Sequence, residues 1–164
     1  MSANFDNLSN MLSELIYPFT FIGLTETKFN TFKDSFDNVY LPGYRFLSQP
    51  SLSNAGGTGI FVQDHLKVSI RTDLTKSVSS FEALWIEVIN SARSNLLCGV
   101  IYRHPNGNIN EFSDYLNFAV ERSSRENKPC VIMGDFNLDL LKYNSHFDTD
   151  NFLNTMLLNC FQPQ

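Results

Sequence analysis

The chain has 164 residues, 43% hydrophobic and 18% charged, with 8 Gly and 6 Pro, so a disordered, collagenous or low-complexity polymer is excluded and one packed domain is expected. Aromatics reach 13%, with 15 Phe and 6 Tyr against a single Trp, which favours β structure over a Leu/Ala-rich helical bundle. The formal charge of −5, from 12 basic and 17 acidic residues, excludes a global electrostatic funnel for nucleic acid and leaves a carboxylate-held divalent cation as a bridge to phosphate.

Phe5, Leu8, Met11, Leu12 and Leu15 recur at helical spacing behind Asn4 as an N-cap, which predicts an amphipathic helix that Pro18 ends. Thr20 to Leu24 is a short β-branched and aromatic run, a buried strand that leads into Thr25 and Glu26. Residues 29 to 43 are turn-rich and close with Pro42-Gly43, Tyr44 to Ser48 reads as a strand, and SQPSLSNAGGTG reads as a flexible loop. Strands are expected at Gly59 to Gln63 and Leu66 to Arg71 as one pair, and at Leu84 to Ile89 and Leu96 to Arg103 as another, a run of antiparallel strands. Asn108 with Glu111 makes a capping-box-like start to a helix that carries Phe112, Tyr115, Leu116, Ala119 and Val120 on one face and fades near Arg125. Cys130 to Met133 is a continuous apolar run, read as a central strand buried on both faces, and Asp148 to Cys160 as a last helix.

Cys98, Cys130 and Cys160 are odd in number and set among apolar neighbours, so they read as buried reduced thiols of an intracellular protein, nuclear or cytoplasmic. The opening MSANFDNLSN has neither part of a signal peptide, and no apolar run approaches the roughly 20 residues that span a bilayer, so no membrane partner is expected.

The strands at 20 to 24 and 130 to 133 each end in an acid, Glu26 and Asp135. Delivered by adjacent strands, two such carboxylates can share one hard cation, with Mg2+ the natural choice; solvated strand ends are the bland alternative. Gly134 supplies a turn without a side chain, and Asp135 and Asn137, two apart on an extended tip, face one spot while Phe136 points into the core. An acid and an amide so placed suit phosphodiester hydrolysis, the acid handling water and the amide holding the water or a phosphate oxygen.

IGLTETK (22 to 28), GGTGIFV (56 to 62), Tyr102-Arg103 within VIYRHPN, and VIMGDFNLDLL (131 to 141) follow one another in the order found in the endonuclease/exonuclease/phosphatase superfamily. The sequence most resembles the target-site endonuclease domain of jockey-like non-LTR retrotransposons, over nearly the whole chain. The resemblance implies an α+β fold, a two-sheet mixed β-sandwich flanked by helices, deoxyribonuclease-like and incomplete. It also implies Glu26 as the Mg2+ ligand, Tyr102 as a hydroxyl on the scissile phosphate, and Asp135 and Asn137 as the groups that position water and stabilise the transition state. The implied reaction nicks a DNA strand and leaves a 3′-hydroxyl.

Two features of the family have no counterpart in the sequence: a first strand with a metal-site Asn, and a closing strand pair with an Asp and a catalytic His beyond GDFN. The chain is therefore expected to be one partial domain with weak or no activity, unstable at its sheet edges and inclined to self-associate through them. A non-catalytic remnant acting as a binding module, and a phosphatase or phospholipase of the same superfamily, are the alternatives. Arg103 reads equally as a phosphate contact or a solvated strand-end charge; His104 shares the parity of Tyr102 but reads more simply as a loop residue, as do His146 and His65. Gly56 to Gly59 lacks the Lys-Ser/Thr pair and helix of a phosphate-binding loop and reads as the entry to a strand.

Overall fold

The computed structural model describes residues 8, 10–12, 14–15, 19–29, 39–52, 55–90, 94–143 and 145–158. The expected cap Asn4, along with Phe5, Pro18, Cys160 and most of the turn-rich stretch after Phe29, lies outside them. Leu8 and Asn10 to Leu12 are helical, as the spacing predicts, although Met11 and Leu15 are exposed.

Eight strands form two sheets among the described residues. The first sheet has the order β1-β3-β2, all antiparallel: β1 is Phe21–Thr25, β2 Tyr44–Gln49 and β3 Thr58–Gln63. In the second, β4 (Val68–Ile70), β6 (Phe81–Val88), β7 (Leu96–Arg103) and β8 (Cys130–Asp135) lie side by side in that order, and the two-residue β5 (Lys76–Ser77) also pairs with β6. All these pairs are antiparallel except β7 with β8, which are parallel and joined through helix α1 (Ile109–Arg125). Only the second sheet is mixed. Helix α2 (Phe147–Leu158) follows a 3-10 turn at Leu140–Lys142.

Three expectations change. Strands 59–63 and 66–71 do not pair, because the chain crosses from one sheet to the other between them. Alternation within a strand says which face is buried, not which neighbour it takes. Residues 130–135 form an edge strand rather than a central one, with no partner on its outer side among the described residues, and Val131 is 46% exposed. Finally, β6 begins three residues before the expected Leu84, because Glu82 interrupts the apolar run yet is buried.

The layers are sheet, sheet and helices, with a core on each side of the second sheet. On one side Ile60 and Val62 of β3 pack against Leu84, Ile86, Cys98 and Val100; on the other Phe81, Ala83, Trp85, Leu97 and Ile101 meet Phe112, Leu116 and Val120 of α1 and Phe152 of α2. Alternate residues of β6 and β7 therefore serve different cores, which is why both strands read as unbroken apolar runs. Asn108 caps α1 by accepting from the Asn110 and Glu111 amides at 3.0 and 3.3 Å. The capping box closes through Ser80, whose hydroxyl donates to Glu111 at 2.6 Å and accepts from the Asn108 amide at 3.1 Å. Cys98 and Cys130 are free thiols, and burial pushes their pKa values up to about 12 and about 11, which leaves them protonated and unreactive. Among the described residues no helix is long and apolar enough to cross a membrane.

Candidate active site

Register along the second sheet aligns three polar residues at one end. Glu82 at the start of β6 is the cross-strand partner of Tyr102 at the end of β7, and Tyr102 is the partner of Asp135 at the end of β8. By the period of two, all three lie on the face that meets the first sheet. β1 packs over that face, with Met133 and Val100 against Gly23. Glu26, one residue past β1, thereby reaches Tyr102, whose hydroxyl donates to Glu26 Oε1 at 2.7 Å. The two acids come from opposite sheets, not from adjacent strands of one sheet as the sequence suggested.

Tyr102 is buried, whereas Glu26 and Asp135 are exposed. Burial, the Glu26 hydrogen bond and the negative charges of Glu26 and Asp135 together push the phenol up to about 12. Tyr102 therefore stays a neutral hydrogen-bond donor at ordinary pH.

The tip after β8 is a turn rather than an extended segment. Asn137 is left-handed at φ 49°, and its amide donates to Asp135 Oδ1 at 2.9 Å, an Asx-type closure in which the acid captures the backbone two residues on. Phe136 packs toward Phe112 and Phe152, as expected. Gly134 is required by proximity: a Cβ there would lie 1.8 Å from the Ile101 carbonyl oxygen, so only glycine lets β8 run this close to β7.

Arg103 holds this turn. It is 6% exposed, and Nε donates to the Phe136 carbonyl at 2.7 Å, Nη2 to that of Asn137 at 2.6 Å and Nη1 to that of Gly107 at 3.1 Å. Asn137 returns a bond from Nδ2 to the Arg103 carbonyl at 2.6 Å. Burial pushes the guanidinium below its usual value while Asp148 and Asp135 oppose that shift. The solvated strand-end reading does not describe this residue, whose donors point into the fold.

His104 lies edge-on to Tyr102 with ring centroids 4.9 Å apart, so the shared parity places it beside the site. Its Nε2 is 3.4 Å from Glu82 Oε1. His146 instead contacts Thr149 at the start of α2. Glu82 and its partner Ser51 are polar residues near the site that sequence reasoning passed over; the signal for Glu82 was one of two acids set in the otherwise apolar FEALWIEV. The hydroxyls of Thr27, which lies against Gly57, and of Thr58, which follows Gly57 in the chain, are buried with no hydrogen-bond partner.

Exposed carboxylates with a neighbouring amide are the hard oxygen donors that Mg2+ takes, and that ion keeps several waters rather than demanding an all-protein cage. Glu26 and Asp135 are exposed oxygen donors of that kind, one from each sheet. Among the described residues no three His, Cys, Asp or Glu converge on one point, so the site is a sparse one.

Comparison with solved structures agrees with this architecture. The endonuclease domain of TRAS1, a telomere-specific non-LTR retrotransposon, is similar at a TM-score of 0.64 and 14% identity, over 96% of this chain and 66% of that domain. The catalytic domain of Xenopus laevis APE2 is similar at 0.60 and 15%, over 91% of this chain and 62% of that one. An endonuclease/exonuclease/phosphatase family protein from Bacteroides thetaiotaomicron follows at 0.54 and 16%, over 93% and 59%. The chain thus spans less than two thirds of each neighbour, and the likeness bears on the α+β, deoxyribonuclease-like fold. No curated protein matches the sequence. The model of the Endonuclease/Exonuclease/phosphatase family, a family that is typically metal-dependent, matches residues 1–162, and the chain belongs to that family.

Proposed function

We propose that the Glu26, Tyr102, Asp135 and Asn137 constellation is a Mg2+-dependent phosphodiester hydrolase site of the retrotransposon-endonuclease kind, with a DNA strand as substrate and with weak activity. The observation that supports this reading is the Tyr102 hydroxyl bonded to Glu26 of the other sheet while Tyr102 pairs across strands with Asp135.

Glu26 and Asp135 would hold the cation, which when bound supplies positive charge against the phosphate oxygens. Asp135, exposed and oriented by the Asn137 amide, accepts a proton from the attacking water. Asn137 spends one Nδ2 hydrogen on the Arg103 carbonyl and keeps the other for a phosphate oxygen. Tyr102 turns its hydroxyl from Glu26 to a non-bridging oxygen, where a preorganised donor counts most. Water attacks in line, the bond from phosphorus to O3′ breaks, and O3′ takes a proton from solvent. Arg103 fixes the turn that bears both Asp135 and Asn137 rather than touching substrate. Activity is expected to be weak because His104, whose ring lies against Tyr102, faces Glu82.

A plasmid-nicking assay tests the proposal. Slow conversion of supercoiled to open-circular DNA is expected with Mg2+, none with EDTA, and none in Asp135→Ala. DNA binding without any conversion under these conditions would favour the non-catalytic binding module instead.

A further inference from the structure

We propose that Glu82 is the positioning residue of this site: its buried carboxylate clamps the Gly56-Gly57 turn, and that turn holds Glu26 in the backbone conformation that presents it to Tyr102. This rests on the reading of Glu26 as the cation-binding carboxylate.

Past β1 the chain takes an unusual path. Glu26 has φ 52° and Lys28 φ 58°, left-handed values sparsely populated by residues that carry a Cβ, and two of them fall within three residues. Such conformations persist where surrounding bonds over-determine them. Here the Thr27 amide donates to the Gly57 carbonyl at 3.2 Å and the Lys28 amide to the Gly56 carbonyl at 2.7 Å. The Gly-Gly turn is thus the template on which the segment bearing Glu26 is laid.

Glu82 fixes that template. It is 1% exposed, its Oε2 accepts from the Gly57 amide at 2.6 Å, and its Oε1 lies 2.5 Å from the Ser51 hydroxyl, which is also 2.7 Å from the Ala55 carbonyl. The Ser51 amide donates to the Phe29 carbonyl at 3.0 Å, which returns the chain of bonds to the segment that began at Glu26. These bonds close a ring around one carboxylate: Glu82, Gly57, residues 27 to 29, Ser51 and back to Glu82. The glycines are what allow it. A Cβ on Gly56 would stand 2.6 Å from Glu82 Oε2, and one on Gly57 would stand 2.4 Å from Thr27 Oγ1. The Oε1 that meets Ser51 also lies 3.4 Å from His104 Nε2, and His104 lies against Tyr102, so both members of the Tyr102–Glu26 pair are braced from Glu82.

Burying a carboxylate is costly unless its oxygens are satisfied, and these are satisfied by the groups that shape the site. A positioning role predicts that hydrogen-bonding capacity matters and charge does not. In Glu82→Gln the new carbonyl oxygen can accept from the Gly57 amide while the new amide donates to Ser51 Oγ, freeing the hydroxyl proton for Ala55. Glu82→Ala removes both bonds.

The test is amide hydrogen exchange on the isotope-labelled full chain, with Mn2+ titration followed by paramagnetic broadening of the same resonances. In Glu82→Ala, exchange at Thr27 and Lys28 is expected to rise about tenfold or more and Mn2+ to bind about tenfold more weakly, while Leu97 and Val100 of β7 stay protected. Glu82→Gln is expected to return both readouts to within about threefold of the original chain. Unchanged protection at Thr27 and Lys28 in Glu82→Ala, or a Glu82→Gln as defective as the alanine variant, would overturn the proposal. Should Glu82→Ala fail to fold, Ser51→Ala is expected to raise the same two exchange rates about threefold, and no change there would equally overturn it. An original chain that neither nicks DNA nor binds Mn2+ would sink the hydrolase reading alone, because the exchange measurements need no cation.

Discussion

Glu82 and Glu87 leave β6 on opposite faces, the first toward the first sheet and the Gly56-Gly57 turn, the second toward the C-terminal end of α1. Both are buried, yet their surroundings differ in kind. Glu87 meets Lys128 at 2.8 Å, Arg71 at 3.1 Å and the Asn95 amide at 2.6 Å. Burial pushes its pKa up, but those partners outweigh it and hold the carboxyl below its ordinary value. Arg71 extends the network to Glu126 at 2.7 Å and Asp73 at 2.7 Å, and Lys128 reaches Glu126 at 2.6 Å. Glu82 instead accepts from two neutral donors, the Ser51 hydroxyl and the Gly57 amide, with the His104 ring beside it. A carboxylate compensated by cations ties a helix to a sheet; a carboxylate compensated by backbone and hydroxyl groups shapes a loop.

If that contrast is right, damage at the Arg71 end should cost stability and damage at the Tyr102 end should cost rate. Arg71→Ala takes one cation from each of Glu87 and Glu126, which keep Lys128, and is expected to cost about 1–2 kcal/mol, a fall of roughly 3–6 °C in Tm by circular dichroism. Nicking below the melting range should be unchanged. The effect has a pH signature. Glu126 is held at about 2, chiefly by its Arg71 hydrogen bond and then by Lys128, so its stabilisation is complete above its ordinary value of 4.5 and is lost as pH falls from there toward 2. The stability gap between the original chain and Arg71→Ala should therefore narrow over that window. A gap that stays constant through it would remove the network from the explanation.

Tyr102→Phe is expected to behave in the opposite way, lowering the nicking rate about tenfold for one lost donor while Tm barely moves. Since burial and Glu26 raise the phenol to about 12, its proton is retained, and no change in rate assignable to Tyr102 should appear between about pH 7 and 10. An inflection in that range that vanishes in Tyr102→Phe would show an ionising tyrosine and break the assignment. The smallest effect is expected on the open face of α1. Arg125 and Glu121 pair at 3.0 Å but their side chains are 75% and 58% exposed, so Arg125→Ala should change stability by less than about 0.5 kcal/mol.

How far these features were legible in the sequence follows from what local pattern can encode. Helix α1 was readable because its apolar spacing, the Asn108 cap and the end near Arg125 are all local signals. The partition of strands was not: β3 and β4 are separated by only Asp64 to Lys67, as hairpin strands would be, and β4 instead pairs with β6 in the other sheet. The edge position of β8 was hidden for a related reason, since an apolar run is the same whether one side of the strand is paired or two. Glu26, Tyr102, Asp135 and Asn137 stood out by motif, whereas Glu82 was masked by a strand with both faces buried, where no alternation marks which way an acid points. Arg103 was ambiguous because a strand-end cation looks alike whether it faces a phosphate or three carbonyls.

Trp85 is the sole tryptophan of the chain, wholly buried on the α1 side of β6, with its indole N–H donating to Tyr115 at 2.7 Å and Tyr115 donating onward to the Leu74 carbonyl at 2.7 Å. Optically, the protein thus has one dominant emitter, and it sits in the layer that the site does not use. Its emission is expected to follow the docking of α1 on the sheet and to be blind to the Gly56-Gly57 turn on the far side of the strand. A fluorescence melt of this chain is therefore a clock for the helical layer alone, and the loop that carries Glu26 can open or close without that clock registering it.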